Sequence, residues 1–251
     1  MKYIFIDLTH INAGLSHNCA NLNVLLCYCY ANNYGLILPI FHLEKFHNND
    51  KAIFDNLTNY FDFNTLLVNN KRFNLVMNKD NLNSNDIIHI NKTQYENSRL
   101  LQDIGIFKDI KNVPISYSYN ENILKISKQI VNTLGNFLCI HVRRTDRLTT
   151  KQIKIDTSPP NILTKIKKYN NKNVYIMTNE EIPFFDSLKD SNYNIYFFTH
   201  FEILKKLKEE DNYLLFCVEN EICNFADKRI STFHTTNTKY IDYLTDSFGW
   251  Q

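Results

Sequence analysis

The chain holds little glycine or proline, five of each in 251 residues. That scarcity disfavours collagen-like, linker-rich and turn-dense all-β architectures, which draw on both residues at every bend. No Cys-x-x-Cys occurs, and no histidine stands at zinc-ligand spacing from a cysteine pair. The six cysteines (Cys19, Cys27, Cys29, Cys139, Cys217 and Cys223) lie mostly inside apolar segments. They are expected to be reduced, buried thiols behaving as small hydrophobes. Long apolar runs are missing too. The longest near the start, residues 24–31, has eight residues and is flanked by Asn23 and Asn32, where a membrane-spanning helix needs roughly 20. Residues 1–7 lack the length and cleavage pattern of a signal peptide. A cytoplasmic protein with no membrane span is therefore expected. Nor is there an excess of one charge: 28 Lys+Arg against 26 Asp+Glu leave a net charge of +2. A nucleic-acid partner would call for a concentrated basic surplus, so none is expected.

What is present is enough apolar material for a large core. Hydrophobic residues make up 44% and charged residues 22%, the composition of a globular chain rather than a disordered one. Asparagine is the outlier with 36, a bias that carries no functional reading. Short apolar runs alternate with stretches of helical period, which is the α/β pattern. Residues 2–8 read as a buried strand, 9–18 as a polar loop, and residues up to Asn33 as a helix stopped by Gly35. A second strand follows at 36–40. The stretch 51–91 is harder to parse, with its best strand at 86–90. A second series reads as helix 121–134, strand 137–142, strand 173–178 and strand 193–198. Helices are expected at about 159–169, 180–190, 200–210 and 214–225, a strand at 230–233 and a last helix at about 235–245. Pro114 and its neighbours interrupt both periods, so two domains, 1–115 and 116–251, are expected to face a cleft.

The most informative segment is Cys139-Ile140-His141-Val142-Arg143-Arg144-Thr145-Asp146-Arg147. An apolar strand ends there and delivers an imidazole, three guanidiniums and a carboxylate. Ligands of open α/β sheets bind at the carboxyl ends of strands. Arginine forks match phosphate oxygens bidentately, which lysine does less well. Asp146 could hold one guanidinium while the other meets a ligand. The bland alternative is a solvated basic turn.

His141-Val142-Arg143-Arg144-Thr145-Asp146-Arg147 resembles the His-Val-Arg-Arg-Thr-Asp-Lys signature of core α1,6-fucosyltransferases and the rhizobial Nod-factor fucosyltransferase. It resembles more loosely the His-x-Arg-Arg motif of α1,2- and protein O-fucosyltransferases. Three further segments follow in the family's order. Gly14-Leu15-Ser16-His17-Asn18, with a helix and then Leu36-Ile37-Leu38-Pro39, is similar to its first loop, helix and second strand. Val174-Tyr175-Ile176-Met177-Thr178-Asn179-Glu180 is similar to its Val-Tyr-Leu-Ala-Thr-Asp-Asp strand. Ala226-Asp227 followed by Ile230-Ser231-Thr232-Phe233 is similar to its Ala-Asp and Ser/Cys-Thr-Phe-Ser segment. The match spans roughly 9–40 and 137–245.

The resemblance implies a GT-B-type fold of two Rossmann-like domains, the first on the acceptor side and the second holding a GDP-sugar donor. It implies an inverting, metal-independent glycosyltransferase that moves a sugar, fucose foremost, from GDP-fucose or another GDP-sugar to a glycan acceptor. No cofactor and no metal are implied, and the sequence contains no Asp-x-Asp triplet to hold one. By carry-over, Arg143 meets the β-phosphate and stabilises departing GDP, with Arg144 and Asp146 as its catalytic companions. Arg147 supports it in place of the family's lysine. His141 lies against the guanosine, and Ser231, Thr232 and Phe233 offer donors to the diphosphate. Glu219, eight residues before Asp227, aligns with an acidic residue that reads guanine. Gly14 and Asn18 belong to the loop facing the sugar or acceptor. The bland readings are a solvated helix residue for Glu219, strand termination for Ser231 and Thr232, and helix capping for Thr178 and Asn179. One departure is chemical: Lys151 stands where the core α1,6 enzymes place a catalytic glutamate, with Asp156 the nearest acid downstream. A degenerate, non-catalytic binder of nucleotide-sugar or glycan is therefore the rival reading. An RNA-binding role for the Arg143–Arg147 patch is disfavoured by the charge balance and the lack of a stacking motif.

Overall fold

A computed structural model describes residues 1–91, 113–144, 148 and 151–232. The chain divides into two compact units, Met1–Glu121 and one beginning at Asn122. In the first, β1 (Tyr3–Ile6) is followed by β2 (Leu8–Ala13), α1 (Leu15–Ala31), β3 (Gly35–Ile37), β4 (Phe41–Leu43), β5 (Ile53–Asp55) and β6 (Phe61–Val68). Then come β7 (Lys71–Arg72), β8 (Leu75–Val76), β9 (Ile87–Ile90) and β10 (Ile115–Tyr119). A parallel sheet has the order β8-β3-β1-β9. Ile4 and Ile6 alternate inward from β1, and α1 is buried almost throughout, Leu25, Leu26 and Cys29 included. Two smaller sheets, β2-β4-β5 and β10-β6-β7, complete the unit.

The expected loop at 9–18 is instead a strand and the first turn of the helix. His10 and Asn12 are exposed while Thr9 and Ile11 are half-buried and Ala13 is buried, an alternation that polar composition hides. Gly35 does not stop α1. Asn33 takes the left-handed conformation there, with φ at 57°, and Asn tolerates that region better than most residues. Gly35 opens β3 because a Cβ at that position would run into the Tyr3 ring and lie 3.1 Å from the Asn74 carbonyl.

The second unit opens on α2 (Glu121–Leu134), whose Ile123, Ile126, Ile130 and Leu134 face inward. β11 (Phe137–Val142), α3 (Lys151–Asp156), α4 (Pro159–Ile166), β12 (Asn173–Thr178) and β13 (Asn194–Tyr196) follow, then α5 (Glu202–Glu210), α6 (Asn212–Asn224) and β14 (Lys228–Ser231). Their sheet is fully parallel, in the order β13-β12-β11-β14. Leu138, Ile140, Val142, Val174 and Ile176 form its core with Ile162, Ile166, Phe185, Leu188 and Phe197. The helix expected at 180–190 is a 3-10 helix, Ile182–Leu188, which buries Phe185 and Leu188 at the i, i+3 spacing that such a helix brings onto one face. The strand expected at 193–198 is short, because Phe198–His200 turn away as a 3-10 helix in which His200 Nδ1 accepts the Phe197 N–H at 3.0 Å. The helix expected at 235–245 lies outside the described residues.

One expectation is corrected. Cys139 of β11 and Cys223 of α6 form a disulfide with their Cα atoms 5.4 Å apart, so these two are not reduced thiols. Separated by 84 residues, they carry no local sequence signal of pairing. Cys19, Cys27, Cys29 and Cys217 are buried and take no part in a disulfide. No helix among the described residues is long and apolar enough to cross a membrane.

Candidate functional site

From β11 the chain runs to β12 and β13 on one side, then returns to β14 on the other. That reversal makes the carboxyl ends of β11 and β14 a topological switch point, where a parallel sheet leaves a crevice for ligands. Arg143 and Arg144 follow directly on β11, so the sequence sets its cationic cluster at this place.

The strand ends are stapled together. In register, His141 faces Met177 and Ser231 on the flanking strands, and Val142 faces Thr178. Thr178 Oγ1 donates to the Val142 carbonyl at 2.9 Å. It also accepts the Glu180 N–H at 3.0 Å. Asn179 Oδ1 accepts the Arg144 N–H at 2.9 Å. Thr178 and Asn179 thus tie β12's end to β11's end rather than capping a helix.

Arg144 is held on several sides. Its Nε donates to Glu180 Oε2 at 2.8 Å, its Nη1 donates to Thr157 Oγ1 at 3.0 Å, and its guanidinium carbon lies 4.0 Å from the centroid of the Phe184 ring. The Arg144 and Glu180 side chains are 13% and 16% exposed, so the pair is poorly screened by solvent. The sequence placed Asp146 as the carboxylate partner of a motif arginine; in the structure Glu180 partners Arg144. Asp146, Arg147 and Phe233 lie outside the described residues. Arg143 is partly exposed at the strand's exit, and His141 is half-buried on β11.

Thr232 is buried, and its N–H and hydroxyl both donate to the His141 carbonyl, at 3.1 and 2.9 Å. It splices the chain just after β14 to β11, and both its donors are engaged there rather than offered to a ligand. Ser231 ends β14 opposite His141. Glu219 is no solvated helix residue. It is 5% exposed on α6, and its Oε1 accepts the hydroxyl of fully buried Tyr175 at 2.8 Å. Burial pushes this carboxyl up to about 7, against the pull of the Tyr175 hydrogen bond and of the Lys208 charge. Lys151 is exposed at the start of α3, and Asp156 at its end accepts from the Gln152 amide at 2.9 Å.

Gly14 and Asn18 belong to the first unit. Gly14 precedes α1 with φ −65°, open to any residue, and a Cβ there would only touch His47 at 3.6 Å. Asn18 is buried; its amide donates to the carbonyls of Ala13 at 3.0 Å and His42 at 3.2 Å, joining α1 to the end of β2 and the middle of β4. Its Oδ1 has no hydrogen-bond partner. Among the described residues no three His, Cys, Asp or Glu side chains converge as a metal site. Sequence reasoning missed Thr157, Glu180 and Phe184 as the cradle of Arg144. Glu180 closes the third quoted motif, which was its one available signal; Thr157 and Phe184 carry none.

No protein-family model matches the chain, and no curated protein matches it in sequence. Solved structures are similar. POFUT1 in complex with GDP matches over 99% of this chain and 96% of its own, with a TM-score of 0.58 at 11% identity. The fucosyltransferase NodZ from Bradyrhizobium matches over 99% and 91%, with a TM-score of 0.54 at 9% identity. NodZ α-1,6-fucosyltransferase soaked with GDP-fucose matches over 98% and 92%, with a TM-score of 0.51 at 10% identity. At such identities the fold is what is shared: the chain has the mixed α/β, GT-B-type fold of these fucosyltransferases, as the four motifs imply.

Proposed function

We propose that the chain is a glycosyltransferase taking a GDP-sugar, GDP-fucose foremost, at the carboxyl edge of the second unit's sheet and delivering the sugar to a glycan acceptor. The observation that carries this reading is a pair of arginines at the switch point of a parallel sheet, in a chain with the fold of fucosyltransferases solved with GDP and GDP-fucose. An acceptor hydroxyl oxygen attacks the anomeric carbon on the face opposite GDP. The bond from that carbon to the β-phosphate oxygen breaks, its electrons pass to the phosphate, and the hydroxyl proton goes to a base. Arg143 meets the charge that grows on the leaving phosphate, and Arg144 backs it. A preorganised donor aimed at developing charge is worth roughly 3–4 kcal/mol in rate. The proposed chemistry is inverting and independent of a metal ion, with the arginines as the cationic clamp. His141 and Ser231 flank the same edge, and Gly14 and Asn18 belong to the proposed acceptor-side unit, 1–115, beside a donor-side unit, 116–251.

A second reading is favoured by one observation. Lys151, standing where the core α1,6 enzymes carry a glutamate, cannot act as a carboxylate base. In that reading the chain binds nucleotide-sugar or glycan without turnover. The location expected from the sequence, the cytoplasm, conflicts with the Cys139–Cys223 disulfide, which fits an oxidising compartment better.

The test is a panel of nucleotides and nucleotide sugars measured by thermal shift, then donor hydrolysis or transfer, both repeated in excess chelator. Stabilisation by GDP over UDP with turnover that survives chelator supports the enzyme. GDP-selective stabilisation without turnover supports the binder. Turnover abolished by chelator and restored by manganese or magnesium overturns the arginine clamp. No preference for GDP overturns the enzyme and the nucleotide-sugar binder alike.

A further inference from the structure

We propose that Glu180 is a positioning residue of this site: it fixes Arg144, and through it the backbone from which Arg143 reaches a diphosphate. The inference rests on the donor-site reading above. Arg143 lies between two pinned peptide groups. Before it, the Val142 carbonyl accepts from Thr178 Oγ1; after it, the Arg144 N–H donates to Asn179 Oδ1. The side chain of Arg144 is the third anchor. Glu180 takes one edge of the guanidinium, Thr157 takes Nη1, and Phe184 lies near its guanidinium carbon. Those partners come from three separate segments: the exit of β12, the turn after α3, and the 3-10 helix Ile182–Leu188. Thr157 has its proton engaged as well, since its hydroxyl donates to the Ile153 carbonyl while it accepts from Arg144.

Removing Glu180 leaves a nearly buried guanidinium without its counter-charge, an arrangement that drives the side chain outward or its surroundings to rearrange. Either response loosens the Arg143–Arg144 turn. The two neighbouring arginines therefore have different work. Arg143 touches the ligand, while Arg144 is the rivet that holds the turn, and Glu180 sets the rivet. A residue of this kind acts on whatever the arginines grip, so it should affect every diphosphate alike and leave the bare nucleoside untouched.

The experiment is calorimetric titration of the full chain with GDP, inorganic pyrophosphate and guanosine, alongside melting, for wild type, Glu180→Gln and Glu180→Asp. Glu180→Gln keeps the shape and removes the charge. It is expected to weaken GDP and pyrophosphate by the same factor, roughly tenfold or more, the size of effect that small misplacement of a gripping group produces. Guanosine binding should stay unchanged, and Glu180→Asp should recover part of the loss. Should Glu180→Gln fail to fold, Thr157→Val removes the second anchor without touching charge, and the same equal weakening is expected. GDP bound equally by wild type and by the folded variant overturns the proposal, as does a loss that includes guanosine. Wild type binding neither GDP nor pyrophosphate overturns the donor-site reading, and the positioning role with it.

Discussion

Glu219→Gln should gain stability relative to wild type as pH rises, and the size of that relative gain can be worked from the structure. The Glu219 carboxyl is buried on α6 and accepts the hydroxyl of Tyr175, which is itself fully buried and held well above its ordinary range by burial. Burial is the largest influence on Glu219 and lifts it from 4.5 to about 7. Between those two values the folded chain holds a proton that the unfolded chain has released. Stability therefore declines as pH rises from about 4.5, and the loss is complete above about 7. Each tenfold in proton affinity corresponds to about 1.4 kcal/mol, so the full loss is roughly 3 kcal/mol. Glutamine preserves the shape and an acceptor for Tyr175 and cannot ionise. Its extra N–H donors add a penalty that does not vary with pH, so the comparison between two pH values isolates the ionisation. The assay is thermal melting of wild type and variant from pH 5 to 8.5. The variant should gain several degrees relative to wild type over that range, at roughly 2–4 °C per kcal/mol for a chain of this size. Parallel melting profiles would refute the buried, protonated carboxyl. GDP and UDP affinities should move together and little; a loss confined to GDP would return Glu219 to the guanine-reading role that its spacing suggests.

Arg143→Lys keeps the positive charge and loses the planar fork; turnover should fall by at least about 100-fold while GDP binding suffers less and melting shifts by only a few degrees, and turnover at wild-type level rejects the assignment. Alkylation under denaturing, non-reducing conditions should label four cysteines and spare Cys139 and Cys223; six labelled thiols would return the chain to the reduced state expected of the cytosol. Gly35→Ala should destabilise the first unit by about 1–3 kcal/mol, because its methyl meets the Tyr3 ring and the Asn74 carbonyl. Gly14→Ala, with open backbone and only His47 within reach, should cost far less, and the reverse order in a melting assay would contradict the packing around β3.

Strands buried on both faces are the easiest elements to read, and β11 and β12 lie where their apolar runs predict, at Phe137–Val142 and Asn173–Thr178. α2 is as legible because its apolar residues repeat at helical spacing. The meander of β6, β7 and β10 is not, since its strands are half-exposed and interleaved with asparagine turns such as Asn69–Asn70, both at positive φ. Within the site, the motif finds the arginines because they are contiguous. It cannot find Thr157 or Phe184, which reach Arg144 only after α3, β12 and a 3-10 helix have folded around it. The same blindness explains Glu219: nothing in its local sequence says whether a helix carboxylate meets solvent or, as here, the Tyr175 hydroxyl of a neighbouring strand.

The two units also bear on which of them takes an anion. Each has a parallel sheet of one topology, with the first strand central, the next two ladder strands on one side and the last on the other: β8-β3-β1-β9 and β13-β12-β11-β14. Topology therefore offers two switch points and does not choose between them. Charge does. At the end of β11 stand Arg143 and Arg144. At the end of β1 stands Asp7, whose carboxylate accepts the Thr9 hydroxyl at 2.6 Å and the Thr9 N–H at 2.9 Å. Those hydrogen bonds lower its pKa, the hydroxyl most, so it is ionised at neutral pH. A diphosphate at the first unit's switch point would meet a negative charge, while at the second it would meet Arg143 beside an Arg144 whose charge Glu180 already balances. This difference in charge on a common framework supports the proposed placement of the donor at the second unit.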